Sequence, residues 1–402
     1  MKLNEDFLAQ MREATQLLQT SGPAAATAAI QRALHGESAQ NAGTPNTVWP
    51  TSAQQADTLI DINTAPENFA NTNPESPADL LKRFRHAPKW KWTDSSARQP
   101  VEDIDAKAPA EEKTKGRFLS ASCSNQAGTR AYKLYVPSGY KGQPLPLVVM
   151  LHGCKQHPDD FAAGTGMNDV AELNNCFVAY PAQAHAANGS NCWNWFNAGD
   201  QRRDQGEPSI IADITRQVIR DYRIDPSRVY VAGLSAGGAM ANIMGATYPE
   251  LYAAVGIHSG LPHGAAHDLP SAFAAMKNGA ANTGKPAATR KEPIPAIVFH
   301  GDRDTTVHSC NGDQALAQCT ANAVQDQARL TVEKGKVPHG RSYTRTVQHD
   351  STGKAIAEQW IVHGAGHAWS GGSTKGSYTD PKGPNAAQEM LRFFYAHTRA
   401  AR

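Results

Sequence analysis

From about residue 118 onward, short apolar runs recur along the chain, at 132–136, 145–152, 177–180, 228–233, 253–258, 296–300 and 359–363. Runs of this length, bounded by turn residues, read as strands buried on both faces. Between them the period changes. Ile210, Ile214, Val218 and Tyr222 fall four residues apart, on one face of a helix. Asp225-Pro226 then marks a turn. Residues 236–248 form a stretch of small residues with helical character, and 385–397 a closing helix with Met390, Phe393 and Phe394 turned inward. Strands alternating with helices predict an α/β fold, a mostly parallel sheet with helices on both faces. The chain contains no internal repeat.

The first 115 residues carry a different pattern. Phe7, Met11, Leu17 and Leu18 make an approximate helical stripe and 24–34 is alanine-rich, which suggests one or two short helices within 1–35. Residues 36–115 are poor in aliphatics and rich in Ala, Asn, Pro, Thr and Ser, with at most a short helix near 78–84. Lys89 to Lys91, with Trp90 and Trp92, read equally as a docking patch or an exposed contact. The expected organisation is an N-terminal, partly irregular arm over 1–115 and a catalytic domain over 116–402.

Composition narrows the functional classes. The 402 residues are 40% hydrophobic and 19% charged, with a formal net charge of +2. That balance gives no reason to expect nucleic acid or an anionic membrane as partner. No run approaches the roughly 18 apolar residues of a membrane span. Residues 1–19 carry Glu5, Asp6, Arg12 and Glu13 and lack a signal peptide's apolar core. The expectation is therefore cytoplasmic if Met1 is the native start, and secreted if a leader was removed. Six cysteines show no CxxC spacing, which argues against zinc. Cys310 and Cys319 are spaced to close a short loop, and free thiols in a reducing cytosol are the simplest reading of the set. With no metal-ligand cluster and no phosphate loop, no cofactor is expected. Asp159-Asp160 and 201–207 read as solvated surface.

The chemistry concentrates in a few glycine-rich segments. Gly233-Leu234-Ser235-Ala236-Gly237 follows an apolar strand and opens a small-residue helix. This is the GxSxG nucleophile elbow of an α/β-hydrolase in its required context. Side chains at the glycines would collide with neighbouring backbone, and the helix N-terminus beneath Ser235 favours an oxyanion. Leu151-His152-Gly153-Cys154 ends an early strand, where the fold supplies one oxyanion-hole amide, so the expected pair is Cys154 N–H and Ala236 N–H. The acid follows the strand at 296–300. Asp304 is favoured because it lies deeper in the loop, with Asp302 as a turn residue or partner of Arg303. The chain order Ser, Asp, His leaves six candidate bases. His367, in Gly364-Ala365-Gly366-His367, is preferred over its main competitor His363, because flanking glycines permit a tight loop. Histidine suits the role since its pKa near 6.5 lets it take and return a proton. Trp193, Trp195 and Phe196 line a groove for acyl chains or pack their loop onto the domain.

These segments, with His152 to Gln156, Cys192 to Phe196, the loop from His300 to Val307 and the run from Gly366 to Gly372, resemble the poly(3-hydroxybutyrate) depolymerase family of esterases over about 118–397. The resemblance implies an α/β-hydrolase that cleaves short-chain polyhydroxyalkanoate esters. It implies Ser235, Asp304 and His367 as triad, Cys154 in the oxyanion hole, Trp193 and Trp195 near the substrate, and a Cys154–Cys192 bridge. Secreted members carry a leader and often a polymer-binding module. The chain stops soon after its last helix, so soluble oligomers or amorphous granules are easier expected substrates than crystalline polymer. Feruloyl or acetyl esters of polysaccharides are the alternative substrates. An acyltransferase and a granule-binding protein that uses the arm are the other classes. The sequence does not fix the oligomeric state.

Overall fold

The computed structural model describes residues 116–281, 293–320 and 329–399. The chain divides into two units, Met1–Glu111 and Glu112–Arg402, and every described residue belongs to the second. The expected arm over 1–115, its helices and its tryptophan patch lie outside the described residues.

The chain runs β1 (Arg117–Asn125), β2 (Gly128–Val136), β3 (Leu145–Leu151), α1 (Pro158–Thr165), α2 (Met167–Leu173), β4 (Phe177–Pro181), α3 (Gly206–Asp221), β5 (Ile224–Leu234), α4 (Ala236–Thr247), β6 (Ala254–His258), α5 (Leu269–Asn278) and β7 (Ala296–Gly301). It continues through α6 (Cys310–Thr320), β8 (Arg329–Lys336), β9 (Ser342–His349), β10 (Ala355–Val362), the short β11 (Trp369–Ser370) and β12 (Thr379–Asp380), and α7 (Ala386–Tyr395). The main sheet has the order β1-β2-β4-β3-β5-β6-β7-β10-β9-β8. Neighbours from β4 through β10 are parallel, and an antiparallel pair of strands extends each flank.

The apolar runs become strands because both faces of the sheet are covered. Residues of β3, β4, β6 and β7 are all buried. Alternate residues divide between two cores, as a period of two requires. Val149, Val231, Ile257 and Val298 pack with α3, α4, α5 and α6. Val148, Ala232, Ile297 and Phe299 pack with α1, α2 and α7. The expected helices at 210–222, 236–248 and 385–397 are α3, α4 and α7. No helix among the described residues is long and apolar enough to cross a membrane.

Two expectations need correction. Cys310 and Cys319 do not close a loop, and the Cys310 thiol is free. Both lie on α6, where a nine-residue separation rises about 13 Å, beyond a disulfide's Cα reach of about 7 Å. The 201–207 segment is not all solvated, since Gln201 and Glu207 are buried.

The sheet's C-terminal edge sets the nucleophile turn through one close approach. A Cβ on Gly237 would lie 2.0 Å from Leu151 O, and one on Gly233 would lie 2.3 Å from Gly237 O. Both obstacles are backbone, which has nowhere to go. Gly237→Ala is therefore expected to destabilise the fold by at least about 2 kcal/mol. Gly199→Ala, with nothing within 4 Å of its Cβ, should stay within about 0.5 kcal/mol of wild type. Denaturant midpoints of the two variants check this, and equal midpoints would contradict the packing argument.

Candidate active site

Ser235 sits between β5 and α4 with φ 57° and ψ −120°. A side chain is rarely held in such a conformation unless its surroundings impose it. Here Ser235 N–H donates to His258 O at 2.9 Å, while the glycines let the elbow press on the end of β3. The serine faces that strand's exit loop, for a Cβ on Gly153 would lie 3.6 Å from Ser235 Cβ. Among the described residues, no protein acceptor takes the N–H of Cys154 or of Ala236. The two amides expected to form an oxyanion hole thus keep their donors free beside the serine.

The loops after β7 and β10 bring the carboxylate and imidazole together. His367 Nδ1 donates to Asp304 Oδ2 at 2.7 Å; the carboxylate is fully buried and the histidine side chain 12% exposed. Asp304 Oδ1 accepts from Thr306 N–H at 2.9 Å and Val307 N–H at 2.8 Å. His300 Nε2 donates to Val307 O at 2.8 Å and approaches Asp304 Oδ2 at 3.4 Å. Burial pushes the Asp304 carboxyl up, but hydrogen bonds from His300, His367 and Val307 outweigh it and hold the group well below its ordinary value. An ionised Asp304 fixes the proton on His367 Nδ1 and leaves Nε2 as the basic nitrogen. Among the described residues no hydrogen bond joins Nε2 to the Ser235 hydroxyl. Such contacts are often long until substrate is bound.

The competing residues form a pair of their own. His363 Nδ1 donates to Asp302 Oδ2 at 2.8 Å, and Asp302 Oδ1 accepts from Gly364 N–H at 2.7 Å. Asp302 is thus the partner of His363 rather than of Arg303. Both side chains are more than one-third exposed. With Arg303 N–H on Ala365 O at 3.0 Å, this pair zips the two loops together and keeps Asp304 opposite His367.

Sequence reasoning passed over His258. It ends β6, is buried, and serves both halves of the site. Its carbonyl takes Ser235 N–H, while its Nε2 accepts from Ser370 N–H at 2.9 Å. Its ring stacks on Trp369 at 5.0 Å. Burial, with His300 and His367 nearby, lowers its pKa to about 3. The available signal was its place at a strand's C-terminal end, where this fold gathers functional residues.

The loop after β4 differs from expectation. Trp193 is fully buried and Trp195 is 5% exposed, so their rings serve packing rather than an open substrate groove. Trp193 lies against the His152 ring at 5.6 Å. Glu207 anchors this loop. Its Oε2 accepts from Asn194 N–H at 2.7 Å, its Oε1 accepts from Asn194 Nδ2 at 2.7 Å and from Gln183 Nε2, and Arg130 lies 3.6 Å away. Burial raises the Glu207 carboxyl above its ordinary value against those opposing hydrogen bonds. Asp160 is also engaged, accepting from Ser377 N–H at 2.8 Å. The thiols of Cys154 and Cys192 form a disulfide across 38 residues, which ties the oxyanion loop to the tryptophan loop and replaces the reading of six free thiols. Among the described residues no group of His, Cys, Asp or Glu is arranged to hold a metal.

Two stability tests follow. Closing a loop of this length is worth about 2–4 kcal/mol, so reduction should lower the unfolding free energy by that order, and an unchanged midpoint in reductant would contradict the bridge. His152 and His258 have folded pKa values lowered to about 4 and about 3 by burial, against about 6.5 in the unfolded chain. The unfolded chain then binds more protons in that window. Their contribution is full above about pH 6.5 and is lost progressively as pH falls from there, the loss being complete near pH 4 for His152 and near pH 3 for His258. Unfolding free energies at about pH 7.5 and 5.0 should differ in that sense; equality would contradict buried neutral rings.

The family model described as esterase PHB depolymerase matches residues 130–330. Poly(3-hydroxyalkanoate) depolymerase C of Paucimonas lemoignei is 33% identical over 256 residues, 61% of this chain and 59% of the relative. Poly(3-hydroxybutyrate) depolymerase of Ralstonia pickettii is 30% identical, covering 56% of this chain and 48% of the relative. The chain thus spans about half to three-fifths of those two depolymerases. Feruloyl esterase B of Neurospora crassa is 30% identical over 67% of this chain and 89% of the relative. The solved acetyl xylan esterase from Aspergillus awamori superposes with a TM-score of 0.54 at 19% identity, over 69% of this chain and 99% of that one, which shows the shared fold. Because that family model spans half of its length, the chain belongs to the PHB depolymerase family of esterases.

Proposed function

We propose that this chain is a serine carboxylic ester hydrolase that acts on short-chain polyhydroxyalkanoates through an acyl-enzyme. The observation that carries the reading is the buried Asp304–His367 pair, with His367 Nε2 left free for a proton. Ser235 Oγ attacks the ester carbonyl as His367 Nε2 takes its proton. The amides of Cys154 and Ala236 bind the oxygen that becomes negative. The imidazolium, stabilised by Asp304, protonates the departing alcohol, and water repeats the sequence on the acyl-enzyme. Asp304 is the orienting acid because its carboxylate is dry and held by two backbone amides, whereas Asp302 is exposed.

The substrate class rests on the two depolymerase relatives. A second reading, ester cleavage on plant polysaccharides, is favoured by the likeness to feruloyl esterase B across most of that protein's length. The Cys154–Cys192 bridge supports an oxidising compartment, hence the secreted alternative, over a reducing cytosol.

The test is hydrolysis of a soluble 3-hydroxybutyrate oligomer beside a feruloyl ester, an acetylated xylan and p-nitrophenyl butyrate, with Ser235→Ala as control. Oligomer cleavage should dominate, and the variant should lose about 10⁶-fold in kcat. Preference for the feruloyl ester or the xylan would move the substrate to the second reading. Equal activity in variant and wild type would remove Ser235 as nucleophile.

A further inference from the structure

His258 ends β6 and is buried, and its backbone carbonyl and its ring are engaged on different partners. The carbonyl accepts from Ser235 N–H at 2.9 Å. Ring Nε2 accepts from Ser370 N–H at 2.9 Å, and Nδ1 lies 3.2 Å from Ser259 Oγ. A nitrogen that accepts from an amide carries no proton of its own, so the ring's proton sits on Nδ1. Burial, with His300 and His367 nearby, lowers the ring's pKa to about 3, and this neutral tautomer persists near neutrality.

The chain that carries His367 presents Ser370 N–H to that ring. Trp369 N–H and Gly371 N–H turn towards β12, to Tyr378 O at 2.7 Å and Asp380 O at 2.9 Å. The amide between them points the other way, as alternation along a strand requires, and meets His258. Just upstream, Ala368 N–H donates to Gly366 O at 3.0 Å and closes a tight turn around His367. Only Ala368 therefore separates the histidine from β11. The faces of the His258 ring are fixed as well. Trp360, Phe299, His258 and Trp369 stack in a column from β10 through β7 and β6 to β11, with successive centroids 5.1, 5.7 and 5.0 Å apart. A phenylalanine would fill that column too. What the imidazole adds is an acceptor for the buried Ser370 amide, which would otherwise be left unsatisfied.

We propose that His258 is a positioning residue for the general base: its Nε2 holds Ser370 N–H and thereby fixes the chain beside His367 against the peptide of Ser235, which the same residue's carbonyl holds. This rests on the reading of Ser235 and His367 as nucleophile and base. Asp304 sets the rotation and tautomer of the His367 ring. His258 sets where the backbone of that ring lies relative to the serine. Among the described residues no hydrogen bond joins the His367 ring to the serine hydroxyl, so the backbone on either side sets that gap, and His258 touches both.

Two substitutions divide the ring's functions, and both leave the backbone carbonyl in place. In His258→Phe a ring still fills the column between Phe299 and Trp369, while the acceptor for Ser370 N–H is lost. In His258→Gln the stack is lost, while Oε1 stands near the place of Nε2 and can accept from Ser370 N–H. The full chain is assayed on p-nitrophenyl butyrate, with thermal midpoints and the rate at which a fluorophosphonate inactivates Ser235, a step that needs the base. His258→Phe should lose about 10- to 100-fold in kcat, the scale of a reacting group displaced by about 1 Å, with KM within about twofold. Its inactivation rate should fall in parallel. His258→Gln should keep kcat and the inactivation rate within about threefold of wild type, despite a lower thermal midpoint. If the phenylalanine variant does not fold, His258→Leu, which also lacks an acceptor, takes its place with the same expected loss. If the glutamine variant does not fold, the split between kcat and KM in the phenylalanine variant decides. Equal loss of kcat in the two variants, a change in KM alone, or a phenylalanine variant with wild-type kcat overturns the proposal. Hydrolysis at the wild-type rate in Ser235→Ala would instead remove the esterase reading itself, and this inference with it.

Discussion

The approach of the elbow to the end of β3 is the constraint on which the site depends. Leu151 O and His152 O stand where a Cβ of Gly237 would be. That contact holds Ser235 at a positive φ and brings it beside Gly153. It also fixes the distance between the two free amides, because one sits on the elbow and the other three residues beyond Leu151. Had either strand ended a residue earlier, the serine and the second amide would belong to different surfaces. The cost of a strained serine backbone, about 1–3 kcal/mol, is offset by the two cores that bury the strands on both faces.

Around that contact the proposed acid and base are held by backbone rather than by side-chain packing. Asp304 is gripped by Thr306 and Val307 N–H, and the 301–304 and 362–365 segments exchange backbone hydrogen bonds. A buried carboxylate without such donors would take up a proton. Asp304 does the opposite because four donors converge on it. The exposed Asp302–His363 pair shows the contrast. It has similar bond lengths, but water competes for both groups, so it serves as a clasp.

The parallel strands were legible because burial on both faces leaves continuous apolar runs. The antiparallel flanks β1, β8 and β9 were not. β8 pairs with β9 alone and exposes Leu330 and Val332, so its alternation matches no buried face. Ser235 was legible from the glycines that the elbow requires, and His367 from its glycine-flanked loop after the last apolar run. His258, His152 and Glu207 were not, since each matters through partners on other elements and through burial that no local pattern encodes. For Trp193 and Trp195 the sequence left a groove and simple packing open, and their burial favours packing. Aromatics in a polar loop suggest a groove, yet Glu207 and the disulfide draw that loop inward, and the rings follow.

The same loop explains why so much buried polarity is kept beside a hydrophobic core. An oxyanion hole needs backbone amides that are dry and unpaired, and an apolar loop offers nothing to hold its other polar groups in place. In this chain four donors and acceptors near Cys154 are taken by side chains: Gly153 N–H by Gln156, Gly153 O by His152, Gln183 N–H by His152, and Cys192 O by Gln183. With those four groups engaged, the Cys154 amide is left without a protein acceptor among the described residues. Replacing the network by apolar side chains of similar shape would remove buried polar groups, which can be nearly neutral for stability when both partners go. It would also free the peptide to turn its N–H towards a protein acceptor, and the proposed oxyanion hole would close.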